Sequence, residues 1–168
     1  MAEWKRILVL GCPGSGKSTF SRKLHDITGI PLTHLDNVWW KPDGTHISRE
    51  EFDQKLAELM EADKWILDGD YSRTYEARIK ACDTAVFLDI GADECLSGIR
   101  ARIGKKRPDM PWTETGPDPE LETMVKRYEY ENRPRLMSLL KDNPEKRTVI
   151  LKTRKEADDF LDSVRKHC

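Results

Sequence analysis

Short apolar runs punctuate the chain at Ile7–Leu10, Leu32–Leu35, Trp65–Leu67, Ala85–Ile90 and Thr148–Leu151. Runs of this length without polar alternation predict strands buried on both faces. Between them, apolar positions recur at helical spacing. The clearest helix start follows Ser48: its hydroxyl can cap, Glu51 can reach back to it, and Phe52, Leu56, Leu59 and Met60 fall on one face. Strands alternating with helices predict an α/β fold, a parallel sheet covered on both sides. Two stretches break the alternation. Residues 41–47 read as a turn after Trp39-Trp40, and residues 104–119, rich in Pro and Gly, are too long for an ordinary connector.

Length and charge narrow the class. The 168 residues suit one domain with a single core, so the whole chain, 1–168, reads as one unit without linker or internal repeat. Lys+Arg at 29 against Asp+Glu at 30 leaves a net charge of -1, which speaks against direct nucleic-acid binding and makes any basic site local. No run is apolar enough to span a bilayer, and the N-terminal residues lack the core of a signal peptide, so a cytoplasmic protein without membrane contact is expected. Cys12, Cys82, Cys95 and Cys168 show no metal-type spacing and are taken as reduced thiols, while the four histidines are too scattered to read as a metal site.

The strongest chemical signal is Gly11-Cys12-Pro13-Gly14-Ser15-Gly16-Lys17-Ser18, followed by Thr19, which fits G-x-x-x-x-G-K-[ST] between the first strand and a helix starting near Lys17. Successive backbone N–H groups there can surround a polyphosphate, the helix N-terminus contributes its positive end, and Lys17 can reach the β- and γ-phosphates. Ser18 would ligate Mg²⁺, so ATP and Mg²⁺ are the expected cofactors. No N-K-x-D for guanine occurs, and neither Asp68 nor Asp89 is followed by the Glu with which an ATPase activates water. Both absences point to transfer onto a bound acceptor rather than hydrolysis.

Here the chain resembles the nucleoside-monophosphate-kinase-like branch of P-loop proteins, over nearly its whole length. Trp65-Ile66-Leu67-Asp68-Gly69-Asp70-Tyr71-Ser72-Arg73 is similar to the strand, Asp-Gly and nearby Arg of those kinases. The resemblance implies that Asp68 orients magnesium-bound water and that Arg73 holds an acceptor phosphate, although Arg73 follows Asp68 by five residues where the usual motif has four. With Leu35-Asp36-Asn37-Val38-Trp39-Trp40, the segment looks closer still to the adenylate-kinase-related proteins labelled DNA topology modulation proteins. The implied architecture is a three-layer P-loop fold with a five-stranded sheet in the order 2-3-1-4-5.

Between Ile99 and Asp109 lie Arg100, Arg102, Lys105, Lys106 and Arg107. A basic run is often a solvated face, but beside a P-loop it reads as an Arg-rich lid over approximately 104–119. By resemblance Arg102 enters the lid and Arg127 leaves it on a helix starting near Glu120, both closing over the migrating phosphate, where charge is spread over the phosphoryl oxygens. Asp36, at the carboxyl edge of the sheet, can bind an acceptor hydroxyl or act as its base. Trp39, Trp40 and Tyr71 could line an acceptor pocket or simply pack. Asp68 is preferred to Asp89 for the magnesium role because it carries the Asp-Gly pair. Arg133-Pro134-Arg135 reads as an interruption of a helix, and Lys152–Lys155 occupies the place where such kinases lay backbone against adenine. The sequence therefore predicts an ATP/Mg²⁺-dependent phosphotransferase acting on a small acceptor, with nucleosides and nucleotides among the candidates. The competing reading is a nucleotide-binding regulatory ATPase acting through a partner or on DNA topology. Oligomeric state is not legible.

Overall fold

The apolar run Arg6–Gly11 is the central strand (β1) of a five-stranded sheet in the order β2-β3-β1-β4-β5. In the computed structural model, which describes residues 3–168, β2 spans Leu32–His34, β3 Trp65–Asp68, β4 Thr84–Leu88 and β5 Arg147–Leu151. Every strand pairing is parallel. Ile7, Leu8, Val9 and Leu10 are fully buried, as are Ile66, Leu67, Ala85, Val86 and Phe87, so the middle strands are covered on both faces. The five strands and their order follow the sequence reading.

Among the described residues eight α-helices connect and flank the sheet: α1 (Lys17–Thr28), α2 (Leu35–Trp39), α3 (Arg49–Glu61), α4 (Tyr75–Ala81), α5 (Ala92–Ala101), α6 (Pro119–Tyr128), α7 (Asn132–Asp142) and α8 (Arg154–His167). Ser48 caps α3 by accepting from the Glu51 amide, as expected from the sequence. Asp118 and Thr153 cap α6 and α8 in the same way. Arg133-Pro134-Arg135 does not interrupt a helix but begins one: Pro134 stands in the first turn of α7, where its missing N–H would have had no partner anyway. Residues 41–46 fold back in a tight turn that brings Trp40 and His46 into a β-bridge. Among the described residues no helix is long and apolar enough to cross a membrane.

The register aligns His34, Val9 and Asp68, so β2 and β3 end together at the carboxyl edge of the sheet and β1 runs two residues further, to Gly11. The chain leaving β3 turns through two positive-φ residues, Gly69 (φ 136) and Tyr71 (φ 39), and the second is costly for a residue with a side chain. Arg78 on α4 holds this turn. Its side chain has no exposure to solvent, and it donates to the carbonyls of Gly69 (2.8 Å), Asp70 and Tyr71 and to Thr74 Oγ1. Burial disfavours its charge, and the nearby Asp70 carboxylate opposes that effect. Arg78→Ala should therefore leave several buried carbonyls without donors and lower unfolding stability by roughly 3 kcal/mol. Urea denaturation should show this, and a variant of wild-type stability would mean that the turn holds itself.

Candidate active site

Gly14 (φ 84) and Gly16 (φ 93) adopt the left-handed conformations that turn the backbone N–H groups of the P-loop toward one concavity. Lys17 opens α1 directly after Gly16, and its Nζ donates to the Cys12 carbonyl at 3.2 Å. The loop lies flat on α5. A Cβ on Gly14 would stand 2.1 Å from the Cys95 carbonyl oxygen, and one on Gly98 would stand 2.3 Å from that of Gly14. Only glycine at both positions allows that approach. Cys12 and Cys95 are buried side by side here, and the contact with Cys95 together with burial pushes the Cys12 thiol up, keeping it neutral.

The concavity is a cavity of about 1290 Å³. It is lined by Lys17, Ser18, Thr19, Arg22, Arg102 and Arg154, and also by Asp36, Asp68 and Tyr71. Asp68 ends β3 and is nearly buried, with His34 Nδ1 donating to its Oδ2 at 2.7 Å. That bond leaves the other carboxylate oxygen for the cavity. Ser18 Oγ accepts from Arg22 Nη1 at 2.7 Å. The hydroxyl of Ser18 and the carboxylate of Asp68 are hard oxygen donors, the type Mg²⁺ takes. Among the described residues there is no group of three or more His, Cys, Asp or Glu able to hold a metal ion. A P-loop magnesium site needs none, because phosphate oxygens and water complete its shell.

Asp36 stands in α2, where Tyr71 donates its hydroxyl to Oδ1 at 2.7 Å. Burial raises the Asp36 carboxyl above the ordinary carboxylate range; the Tyr71 bond and the positive charge of Lys17 pull the other way. Burial and the neighbouring Asp36 push the Tyr71 phenol far up, so it remains a neutral donor. Trp40 lines the same wall and meets Trp112 of the lid edge-on at 5.7 Å. Trp39 lines the cavity as well, stacked on His46 at 4.3 Å and edge-on to Phe52.

Several expected site residues stand elsewhere. Arg73 is absent from the cavity lining and pairs with Asp53 of α3 through two bonds of 2.8 and 2.9 Å at the surface. The extra residue between Asp68 and Arg73 belongs to the turn that Arg78 clamps, which carries Arg73 outward. Arg127 is exposed on α6, because that helix turns Val125 and Tyr128 inward, and it does not line the cavity. Asp89 lies outside the cavity too, paired with Arg133 at 2.8 and 2.9 Å.

The lid is neutralised from within. Glu114 accepts from Arg102 (3.3 Å) and stands 3.6 Å from Arg107, and Asp109 accepts from Arg107 at 3.0 Å. The segment also touches α2, where Asn37 Nδ2 donates to the Pro108 carbonyl at 2.8 Å. Asp70 ties the β3 turn to the far side of the lid, accepting from Tyr75, Tyr128 and Asn132. Sequence reasoning missed His34, Gly98, Arg22, Asp109, Trp112 and Glu114 as parts of this site; Arg107 was read as part of the basic lid, and Arg154 fell within the segment 152–155 read beside adenine.

No protein-family model matches the chain. It is 29% identical over 85 residues to an adenylate kinase of Thermotoga maritima, covering 49% of this chain and 38% of that enzyme. It is 30% identical over 123 residues to an adenylate kinase of Halobacterium salinarum, covering 57% of this chain and 56% of the relative. The matched region thus spans about half the length of these relatives or less. Among solved structures, a shikimate kinase from Acinetobacter baumannii in complex with shikimate superposes with a TM-score of 0.67 at 17% identity, covering 98% of this chain and 92% of that one. A sugar kinase from a Janibacter species gives 0.57 at 17% identity with the same coverage. The fold is that of P-loop kinases.

The close approach of Gly14 and Gly98 predicts that Gly98→Ala displaces the phosphate cradle, weakening ATP binding about tenfold or more. Gly91→Ala, where a Cβ meets nothing within 4 Å, should bind as wild type. Nucleotide titration by calorimetry distinguishes the two, and equal affinities would mean that α5 does not support the loop.

Proposed function

We propose that this chain is an ATP/Mg²⁺-dependent phosphotransferase that moves the γ-phosphoryl group to a hydroxyl of a small acceptor. The observation that carries the reading is that the phosphate cradle, Asp68 and Asp36 open onto one cavity, with room opposite Lys17 for a second molecule. Partial similarity to adenylate kinases and the kinase fold support it. The narrower likeness to DNA topology modulation proteins rests on the segments 35–40 and 65–73 alone.

In this reading the P-loop amides and Lys17 bind the polyphosphate, and Arg102 adds positive charge where the transition state spreads its negative charge. Ser18, and Asp68 through water, would hold Mg²⁺, which neutralises β- and γ-phosphate oxygens when bound. Asp36 accepts the acceptor's hydroxyl proton as the oxygen attacks phosphorus. A bond from that oxygen to phosphorus forms, the bond from phosphorus to the β–γ bridging oxygen breaks, and its electron pair leaves on ADP. Tyr71 fixes the carboxylate for this task, and Trp40 forms a wall for the acceptor.

Lys17→Ala should abolish turnover or ATP binding without lowering the melting temperature, since its side chain serves the phosphates rather than the core. Unchanged ATP affinity and turnover would overturn the reading. Wild-type ATP binding with no acceptor-stimulated ADP release from any alcohol would favour a regulatory ATPase.

A base works only when deprotonated, and burial raises the Asp36 carboxyl. Activity should therefore fall as pH drops through a value above the ordinary carboxylate pKa of about 4, whereas an unburied base would lose activity only near that value. Asp36→Asn should lower kcat by about a hundredfold or more and remove this acid limb from the kcat/KM profile.

A further inference from the structure

Among the described residues, five buried side-chain polar atoms have no hydrogen-bond partner: Ser15 Oγ, Ser21 Oγ, Trp65 Nε1, Arg107 Nη2 and Trp112 Nε1. Of the residues that carry them, only Arg107 and Trp112 line the cavity, and both belong to the lid. A buried N–H without a partner destabilises the segment that holds it, and at the wall of a binding cavity a ligand oxygen can relieve that strain.

Arg107 commits one nitrogen to its own segment. Nη1 donates to Asp109 Oδ2 at 3.0 Å, whereas Nη2 stands 3.6 Å from Glu114 Oε1, beyond hydrogen-bond length. The other cations of the lining already have bonds of their own: Lys17 donates to the Cys12 carbonyl, Arg22 to Ser18 and Thr19, and Arg154 to the Gly14 carbonyl, while Arg102 pairs with Glu114. The two arginines that follow β3 serve elsewhere, Arg73 with Asp53 at the surface and Arg78 among backbone carbonyls in the core.

Both unpaired donors stand where the lid meets α2. Asn37 of α2 donates to the carbonyl of Pro108, the neighbour of Arg107, and Trp112 packs edge-on against Trp40, the residue that ends α2. α2 also carries Asp36, the carboxylate proposed to meet the acceptor hydroxyl, and Asp109, the partner of Arg107, is near enough for its charge to act on Asp36.

We infer that Arg107 and Trp112 bind an oxyanion of the phosphoryl acceptor, a carboxylate or a phosphate, whose several oxygens take the guanidinium Nη2 and the indole N–H. A charged oxygen is the stronger partner for a guanidinium, and Glu114 remains with Arg102 when it binds. Both donors are closed off from solvent, so the lid shifts to admit the oxygens. The lid thus recognises the acceptor as well as covering the phosphoryl group. The inference rests on the phosphotransferase reading above and specifies how its acceptor is held.

Calorimetry tests it with the wild-type chain saturated with Mg²⁺ and a non-hydrolysable ATP analogue. The titrants are matched pairs that differ in the charged group: shikimate and its methyl ester, glucuronate and glucose, AMP and adenosine. In at least one pair the anion should bind about tenfold or more tightly than its neutral counterpart. Preference for shikimate or glucuronate identifies a carboxylate, and preference for AMP a phosphate. Trp112→Phe keeps a ring against Trp40 and loses the N–H; Arg107→Lys keeps the charge and loses the fork. Each should bring the preferred pair to within about threefold by weakening the anion alone, whereas a collapsed lid would weaken both members. Absence of an anion preference in every pair overturns the inference, and so does a preference that survives either variant. Binding of the ATP analogue is read in the same cells: if it too is absent from the wild type, the phosphotransferase reading fails, whereas its presence confines the failure to the role of the lid.

Discussion

A guanidinium shut away from water must find an acceptor for its donors or give up its charge. Arg78 finds the carbonyls of Gly69, Asp70 and Tyr71, and the turn after β3 is held by that need. The side chains that leave the turn go in different directions. Asp68 faces the P-loop side of the cavity with His34 behind it, Asp70 binds Tyr128 and Asn132 across the α6–α7 junction, and Tyr71 bonds to Asp36. The proposed metal site, the support of the lid and the carboxylate proposed to meet the acceptor therefore share one anchor. A shift of the turn would disturb all three together.

The lid solves a second electrostatic problem. Arginines waiting for a phosphate repel one another, and placing them near a P-loop without a counter-ion would push the segment outward. Glu114 and Asp109 supply internal counter-ions, with side chains mostly shielded from solvent, so the lid rests against α2 with its charge balanced. In the proposed reading, phosphates reaching Arg102 would compete with Glu114 rather than meet a bare cation, so the gain would be the difference between two ion pairs.

Much of the framework was legible in the sequence because strands and P-loops are written locally. Unbroken apolar runs gave the strands, and a strand followed by Gly-x-x-x-x-Gly-Lys-Ser gave the phosphate end. What escaped depends on partners distant in the chain. Arg78 lies in a charged stretch and looks like a surface residue; only the fold shows the carbonyls that enclose it. Gly98 is an unremarked glycine inside a helix until Gly14, far away in sequence, comes to rest on it. His34 is a lone histidine until β2 pairs with β3. Arg73 and Arg127 were placed by likeness to other kinases, but one extra residue in a turn and the inward face of α6 send them elsewhere.

The flat seat of the P-loop on α5 also decides what can swing. Arg102 follows Gly98 by one helical turn, about 6 Å along the axis at 1.5 Å per residue, so its root is fixed to the same helix that the phosphate cradle rests on. Gly104, in a left-handed conformation two residues later, is the first place where the chain can hinge. In the proposed reading Arg102 thus belongs to the anvil and Arg107 to the hammer: if the lid swings about Gly104, the first would stay registered with the P-loop while the second moved with the lid.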